Sequence, residues 1–272
     1  MTRPFEGLPG EVEWVALREI VPAATAQLTV RDAPDASVTL STVLPMAWPA
    51  LVRADGRVML GLQVPTRSGD VSRDVAWALQ EALAAPPGSP VQATGLPGPG
   101  PRLQDLLADA PLEVTVHEGF DYWVEGAAED RSGEVAASME RANATVIPTA
   151  RLDAVPGAYW CRMKERSHLR WVLPEAEQPA LDALARLAGR HRRDGSGGLS
   201  LGEGTRYVGS FRAHGLLCPV WDLPLEMEAA ALEEPVAVLR TRLDEELAAP
   251  RELTDDERRT RAGLLSRQLT LR

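Results

Sequence analysis

The sequence predicts an α+β fold: two tandem, similar modules of helix plus antiparallel hairpins, with a helical C-terminal extension. Three observations lead there. The first is a repeated phrase. Gly10-Glu11-Val12 opens a stretch that closes at Thr25-Ala26-Gln27-Leu28, and Gly133-Glu134-Val135 opens another that closes at Thr149-Ala150-Arg151-Leu152. Extended segments follow each, Gly56-Arg57-Val58-Met59-Leu60 in one copy and Ser167-His168-Leu169-Arg170-Trp171 in the other. Each copy then runs through an Ala/Leu-rich helical stretch and a glycine-rich loop bearing an arginine (Arg102, Arg206) to Phe120-Asp121-Tyr122-Trp123 or Val220-Trp221-Asp222. The second observation is that helical and period-two hydrophobic patterns take turns, without the βαβ rhythm or strand–glycine–helix fingerprint of a doubly wound sheet. The third is that residues 225–272 carry helical signals alone. An echo this long implies one supersecondary unit duplicated and packed on itself, with any site at the seam.

The first module spans residues 1–130. A helix over 11–21 stops before Pro22, which cannot continue it. Residues 37–44 alternate Val38, Leu40 and Val43 with Ser and Thr, as a half-buried strand does. Residues 58–64 pair with the preceding extended stretch across Arg53-Ala54-Asp55-Gly56, a turn with Asp-Gly chemistry. Asp70 or Ser72 caps a helix reaching Leu83, with Val75, Leu79 and Ala82 on its apolar face. The Pro/Gly-rich stretch 85–101 is a surface loop. Residues 112–116 and 122–124 form short strands.

The second module spans 131–224. Val135, Met139, Ala142 and Val146 recur at helical spacing. Residues 158–163 and 169–173 make a hairpin around Lys164-Glu165-Arg166-Ser167. A helix over 175–188 ends at Gly189, placed for a left-handed cap. Residues 206–211 and 216–221 are strands joined at Ala213-His214-Gly215. In 225–272, Val236, Leu239, Leu243 and Leu247 form a helical stripe, and Thr254-Asp255-Asp256-Glu257 is a capping box opening a last helix. That extension is read as a brace across the modules.

Composition narrows the chemistry. Basic residues number 29 against 39 acidic ones, a net charge of −10, which opposes general binding to phosphate backbones. No stretch is long and apolar enough for a membrane span, and Met1-Thr2-Arg3-Pro4-Phe5 has no signal-peptide core. Two cysteines make no disulfide framework, so the reading is cytoplasmic. Lys164 is the one lysine, a bias that fits the codons of a GC-rich genome. A phosphate loop ending in Gly-Lys-Ser/Thr is absent, as are the Gly-x-Ser-x-Gly elbow and the His-Glu-x-x-His helix.

Candidate chemistry gathers in the second module. The loop 195–206 is glycine-rich, but it leads into a strand, so a connector is the reading preferred over a phosphate cradle. Arg190-His191-Arg192-Arg193 suits a solvated helix end. Cys161, His168, His214 and Cys218 are a zinc-compatible set. Only His214-x3-Cys218 has local spacing, so one buried cysteine per strand is the plainer account, and neither metal nor cofactor is expected. The best candidates for ligand binding are His168, Arg170, Arg206, Arg212, His214 and Asp222. The guanidinium forks could clamp a carboxylate or phosphate, and either histidine could move a proton near neutral pH. The plainer account has these side chains facing water in ion pairs with Glu203 and Asp222. Trp123 and Trp221 stand at matched ends of the copies, where two exposed indoles would mark a binding surface.

The segments Pro4-Phe5-Glu6-Gly7-Leu8-Pro9-Gly10-Glu11, Val43-Leu44-Pro45-Met46-Ala47-Trp48-Pro49, Gly202-Glu203-Gly204-Thr205-Arg206 and Trp221-Asp222-Leu223-Pro224 resemble the actinobacterial domain-of-unknown-function family 5926 over nearly the whole chain. The resemblance implies no activity. Members of that family often begin with a zinc knuckle like the one at the tail of the SecA translocase, and this chain has none of its cysteines. Each module is also similar in topology to the SseB-type α+β module. The function expected is a non-catalytic cytoplasmic adaptor or regulator with a binding face at the module seam for a protein or a small anionic ligand. The alternative is an enzyme acting on a small anionic substrate through the His/Arg cluster. A nucleic-acid partner ranks last.

Overall fold

Two sheets, each with helices of its own, make the fold α+β. The computed structural model describes residues 2–65, 67–92, 95–124, 133–194, 198–248 and 251–266. It divides into two compact units, Met1–Ile147 and Pro148–Arg272.

The first unit begins with α1 (Glu11–Glu19), which Gly10 enters at a left-handed φ of 68°. Its C-terminal carbonyls find a partner in a side chain from elsewhere. Gln63 Nε2 donates to Leu17 O at 2.6 Å and to Val21 O at 2.8 Å, so orphan groups of the helix end are satisfied and α1 is tied to the sheet. Then come β1 (Ala24–Val30), β2 (Ala33–Ser41), β3 (Ala50–Val52) and β4 (Val58–Gly61). Thr25-Ala26-Gln27-Leu28, the close of the first repeated phrase, lies inside β1, and β2 starts earlier than the alternating run indicated. The β3–β4 hairpin turns at Gly56, whose φ of 87° needs a residue without a Cβ.

Helix α2 (Val71–Ala84) is capped by Asp70, whose carboxylate accepts from Ser72 N at 3.1 Å. Asp74, one turn in and buried, accepts from Arg67 N at 2.7 Å and Ser68 N at 3.1 Å, which pins the preceding loop to the helix. The stretch 85–101 is mostly loop but includes β5 (Pro90–Val91). After it come α3 (Leu103–Leu106) and β6 (Val114–Val116). Residues Asp121–Trp123 form a 3-10 turn rather than the expected strand. The Trp123 indole is drawn inward to donate to Val43 O at 2.9 Å and stacks on Phe120 at 4.4 Å, which favours a tight turn over extension. Helix α4 (Gly133–Asn143) packs here. Asn143 Oδ1 accepts from Phe120 N at 2.7 Å, and Met139 joins Phe120 and Tyr122 in a small core.

The sheet order is β5-β3-β4-β2-β1-β6. Its pairings are antiparallel apart from β2 with β4, which run parallel from Val38↔Val58 to Ser41↔Gly61. Gly61 has no room for a side chain, because a Cβ there would lie 2.7 Å from Trp48 O and 3.4 Å from Pro49 O. Gly61→Ala is therefore expected to destabilise by about 1–3 kcal/mol, as overpacking against backbone does. A urea midpoint equal to wild type would refute it.

The second unit contains β7 (Thr149–Arg151), β8 (Ala158–Met163), β9 (Arg166–Trp171), α5 (Glu177–Asp194), β10 (Arg206–Ala213), β11 (Leu216–Leu223), α6 (Glu233–Ala248) and α7 (Asp255–Ser266). Its sheet is antiparallel throughout, in the order β10-β11-β9-β8-β7. The β8–β9 loop is tighter than expected: Met163 pairs with Arg166, leaving Lys164-Glu165 as the turn. His214 and Gly215 turn β10 into β11 with φ of 47° and 83°, the doubly left-handed geometry that matches strand twist.

One sheet face packs under the helices. Leu169, Trp171, Leu217 and Trp221 meet Leu181 and Leu184 of α5, with Leu239 and Leu243 of α6 and Leu264 of α7 joining the same core. Helix α5 does not stop at Gly189 as expected but runs on to Asp194. The glycine serves close approach instead, since a Cβ there would stand 3.1 Å from Glu257 Cγ on α7. The capping box is present: Glu257 N donates to Thr254 Oγ1 at 3.3 Å, and Thr254 N donates to Glu257 Oε2 at 2.9 Å. Arg251 adds two bonds to the same carboxylate, at 2.6 and 2.7 Å, and its hydrogen bonding holds that group well below the usual carboxylate range.

Candidate functional site

Strand β9 alternates Arg166, His168 and Arg170 with Ser167, Leu169 and Trp171, and the second set is buried. Strand geometry therefore puts the three bases on one face. Register then adds to them. His168 is opposite Asp222 on β11, and Asp222 is opposite Arg206 on β10. On the other side His168 is opposite Cys161 of β8. Arg206, Asp222, His168 and Cys161 thus form one row across four strands.

Asp222 is the hub. Its Oδ2 accepts from Arg166 Nη1 and from Arg206 Nη2, each at 2.7 Å. Its Oδ1 lies 3.1 Å from His168 Nδ1, an electrostatic contact whose alignment falls short of a hydrogen bond. Burial pushes the Asp222 carboxyl up. The Arg206 hydrogen bond, the His168 charge and the Arg166 hydrogen bond and charge outweigh burial and leave it below its ordinary 3.8. Burial is also the main influence on His168 and pushes it down. Asp222 opposes that effect, Arg170 and Arg166 reinforce it, and the imidazole ends below its ordinary 6.5. His168 is therefore neutral at pH 7.

These shifts predict two acid steps. Folded His168 binds a proton less readily than unfolded His168, so stability declines as pH falls through about 6.5. Asp222 behaves as a depressed carboxylate: its contribution is present above about 3.8 and lost as pH falls through its lower folded value. His168→Gln is expected to flatten the first step and to shrink the second without abolishing it, because Arg206 and Arg166 still hold Asp222 down once the His168 charge is gone. Urea midpoints measured from pH 7.5 to 3 would show this, and an unchanged slope near pH 6 would exclude it.

Arg170 shares the His168 face, with Nη2 4.0 Å from Met163 Sδ. Arg212 pairs with Glu177 in the first turn of α5, with Nε to Oε2 at 2.7 Å and a second bond from Nη2 to Oε1. His214 occupies the β10–β11 turn. Cys161 and Cys218 are buried, and burial pushes both thiols up against the opposing charge of Arg170, so neither is an activated nucleophile. Among the described residues, no group of three or more His, Cys, Asp or Glu is placed to hold a metal. Trp221 is fully buried and donates to Leu199 O at 2.6 Å, so it and Trp123 do not form a pair of exposed indoles. In the glycine-rich loop, Thr205 Oγ1 accepts from Leu201 N at 2.9 Å and donates to Gly202 O at 2.8 Å, while residues 195–197 lie outside the described residues. So do the side chains of His191, Arg192 and Arg193. Sequence reasoning missed Arg166 by assigning it to a loop, although its period-two spacing with His168 and Arg170 was the available signal.

A model of a family of unknown function, DUF5926, matches residues 4–272. The chain belongs to the domain-of-unknown-function family 5926. No curated protein and no solved structure matches it. Membership in DUF5926 covers both units and the node around Asp222. No helix among the described residues is long and apolar enough to cross a membrane.

Proposed function

We propose that this chain is a non-catalytic adaptor or regulatory protein, and that Arg166, Arg206 and Asp222 form its binding face for an anionic group. One observation carries this reading. The two guanidiniums are 60% and 68% exposed, while the carboxylate between them is 15% exposed. Each guanidinium has five N–H donors, and each gives one of them to Asp222. Donors therefore remain, preoriented by the shared acceptor, for a carboxylate or phosphate arriving from solvent. The lack of an activated thiol beside His168 favours binding over chemistry.

The test uses inorganic pyrophosphate and, separately, a glutamate-rich peptide as calorimetric probes. We expect salt-sensitive binding with one stoichiometric site, lost in the Arg166→Ala/Arg206→Ala double variant, whose stability should change by no more than about 1 kcal/mol. Preference for pyrophosphate indicates a small ligand, and preference for the peptide indicates a protein partner. Binding that survives the double substitution overturns the reading.

The His168–Asp222 contact favours the enzymatic alternative, in which an anion held by the arginines exchanges a proton with His168. That alternative requires a turnover that His168→Gln abolishes while probe binding persists. The proposal also includes a cytoplasmic setting, supported by two free buried cysteines. It further includes descent of the modules from one duplicated unit, supported by the placement of the matched Thr25 and Thr149 phrases in β1 and β7.

A further inference from the structure

The first unit carries a second surface that the reading above does not use. Pro49, Val64, Pro65, Pro97 and Trp77 line a cleft of about 50 Å³, with Arg67 at its rim. A drug-sized ligand needs roughly 300 Å³ or more. This cleft is closer in size to one inserted side chain.

Its surroundings extend the apolar character outward. Met46 is 83% exposed and Leu96 is 75% exposed, more than any other large hydrophobic among the described residues. Each is the chain neighbour of a cleft residue, Ala47 and Pro97 respectively. Met46 is also held under strain. It and Ala47 have φ of 54° and 53°, the left-handed region that costs a non-glycine residue on the order of 1–3 kcal/mol. Ala47 N bonded to Leu44 O at 3.0 Å and Trp48 N bonded to Pro45 O at 3.1 Å hold the turn in that shape. Met46 gains no burial in return, so the strain displays an apolar side chain to solvent.

Charge identifies the complement. Among the described residues, no carboxylate pairs with the Arg67 guanidinium. Asp74, which also lines the cleft, is engaged with the backbone N–H groups of Arg67 and Ser68. An unpaired cation beside an apolar slot matches an apolar side chain flanked by a carboxylate.

We infer that this cleft docks a peptide segment of a partner protein, receiving one aliphatic or aromatic side chain between Trp77 and the prolines while Arg67 pairs with an adjacent Asp or Glu. Met46 and Leu96 close over the flanks of the inserted residue. The test is selection of a phage-displayed random 12-residue library on the full chain, followed by affinity measurement on the selected peptides. Enrichment of a hydrophobic residue next to Asp or Glu is expected. Arg67→Glu should weaken those peptides about tenfold and turn selection toward Lys or Arg. Met46→Gly relieves the left-handed strain, so it should bind about tenfold more weakly while the melting temperature holds or rises. Peptide affinity unmoved by both substitutions, in proteins that still melt cooperatively, overturns the inference. So does a selection without acidic-apolar enrichment. Thermal stabilisation by hexanoate with no peptide enriched would assign the cleft to a small carboxylate and likewise overturn it.

Discussion

Trp221→Ala is expected to cost the second unit about 3–5 kcal/mol, the usual range for removing a fully buried tryptophan. The indole has no exposed surface, lies 6.5 Å from the Trp171 ring and 5.4 Å from the Tyr207 ring, and donates to Leu199 O at 2.6 Å. Alanine would leave a cavity beneath α5 and an acceptor without its donor. Trp221→Phe largely separates the two losses, because it keeps most of the volume while removing the N–H donor. That variant should recover more than half of the deficit. Urea titrations of the three proteins would show this order, and a Trp221→Ala midpoint within error of wild type would sink the packing account.

The second large effect is expected at Arg186. This arginine of α5 is 5% exposed and donates to Glu246 O at 3.1 Å and to Arg251 O. It therefore satisfies carbonyls at and beyond the end of α6, on the path into α7. Arg190 pairs with Glu246 alongside it. A buried cation held chiefly by carbonyls is costly to desolvate, yet removing it leaves those carbonyls without their donor. Arg186→Met, which keeps the stem and removes the donors, should destabilise by about 2–4 kcal/mol. Faster amide exchange should centre on residues 244–258. If exchange accelerated evenly over the unit instead, Arg186 would be a general packing residue and not a tie for the C-terminal helices.

The sequence made the α+β class, the cap at Asp70 and the capping box at Thr254 legible because each is written in a few adjacent residues. It was misleading where distant partners decide. Gly189 has the signature of a helix stop, but it lies inside α5, where a Cβ would stand 3.1 Å from Glu257 Cγ of α7. Tyr122–Val124 has strand composition, but Val43 captures the Trp123 indole and the chain turns. At the candidate site, His168, Arg170, Arg206 and Asp222 were recognisable from residue type. Their convergence with Arg166 was not, because it depends on the register of β9 against β11 across all of α5. Arg212 belongs to the same strand as Arg206, but the β10 bulge between Tyr207 and Gly209 interrupts the alternation that would relate them.

The pairing of β1 with β6 has a bearing on how the protein is made. Ala24 bonds in register opposite Val116, so the edge of the first sheet stays open on the ribosome until nearly the whole first unit has been synthesised. The β10–β11 hairpin, by contrast, can close as soon as its own turn emerges. A nascent chain stalled before Val114 would expose one flank of β1 to passing strands, and that interval is when a chaperone would matter most to this protein.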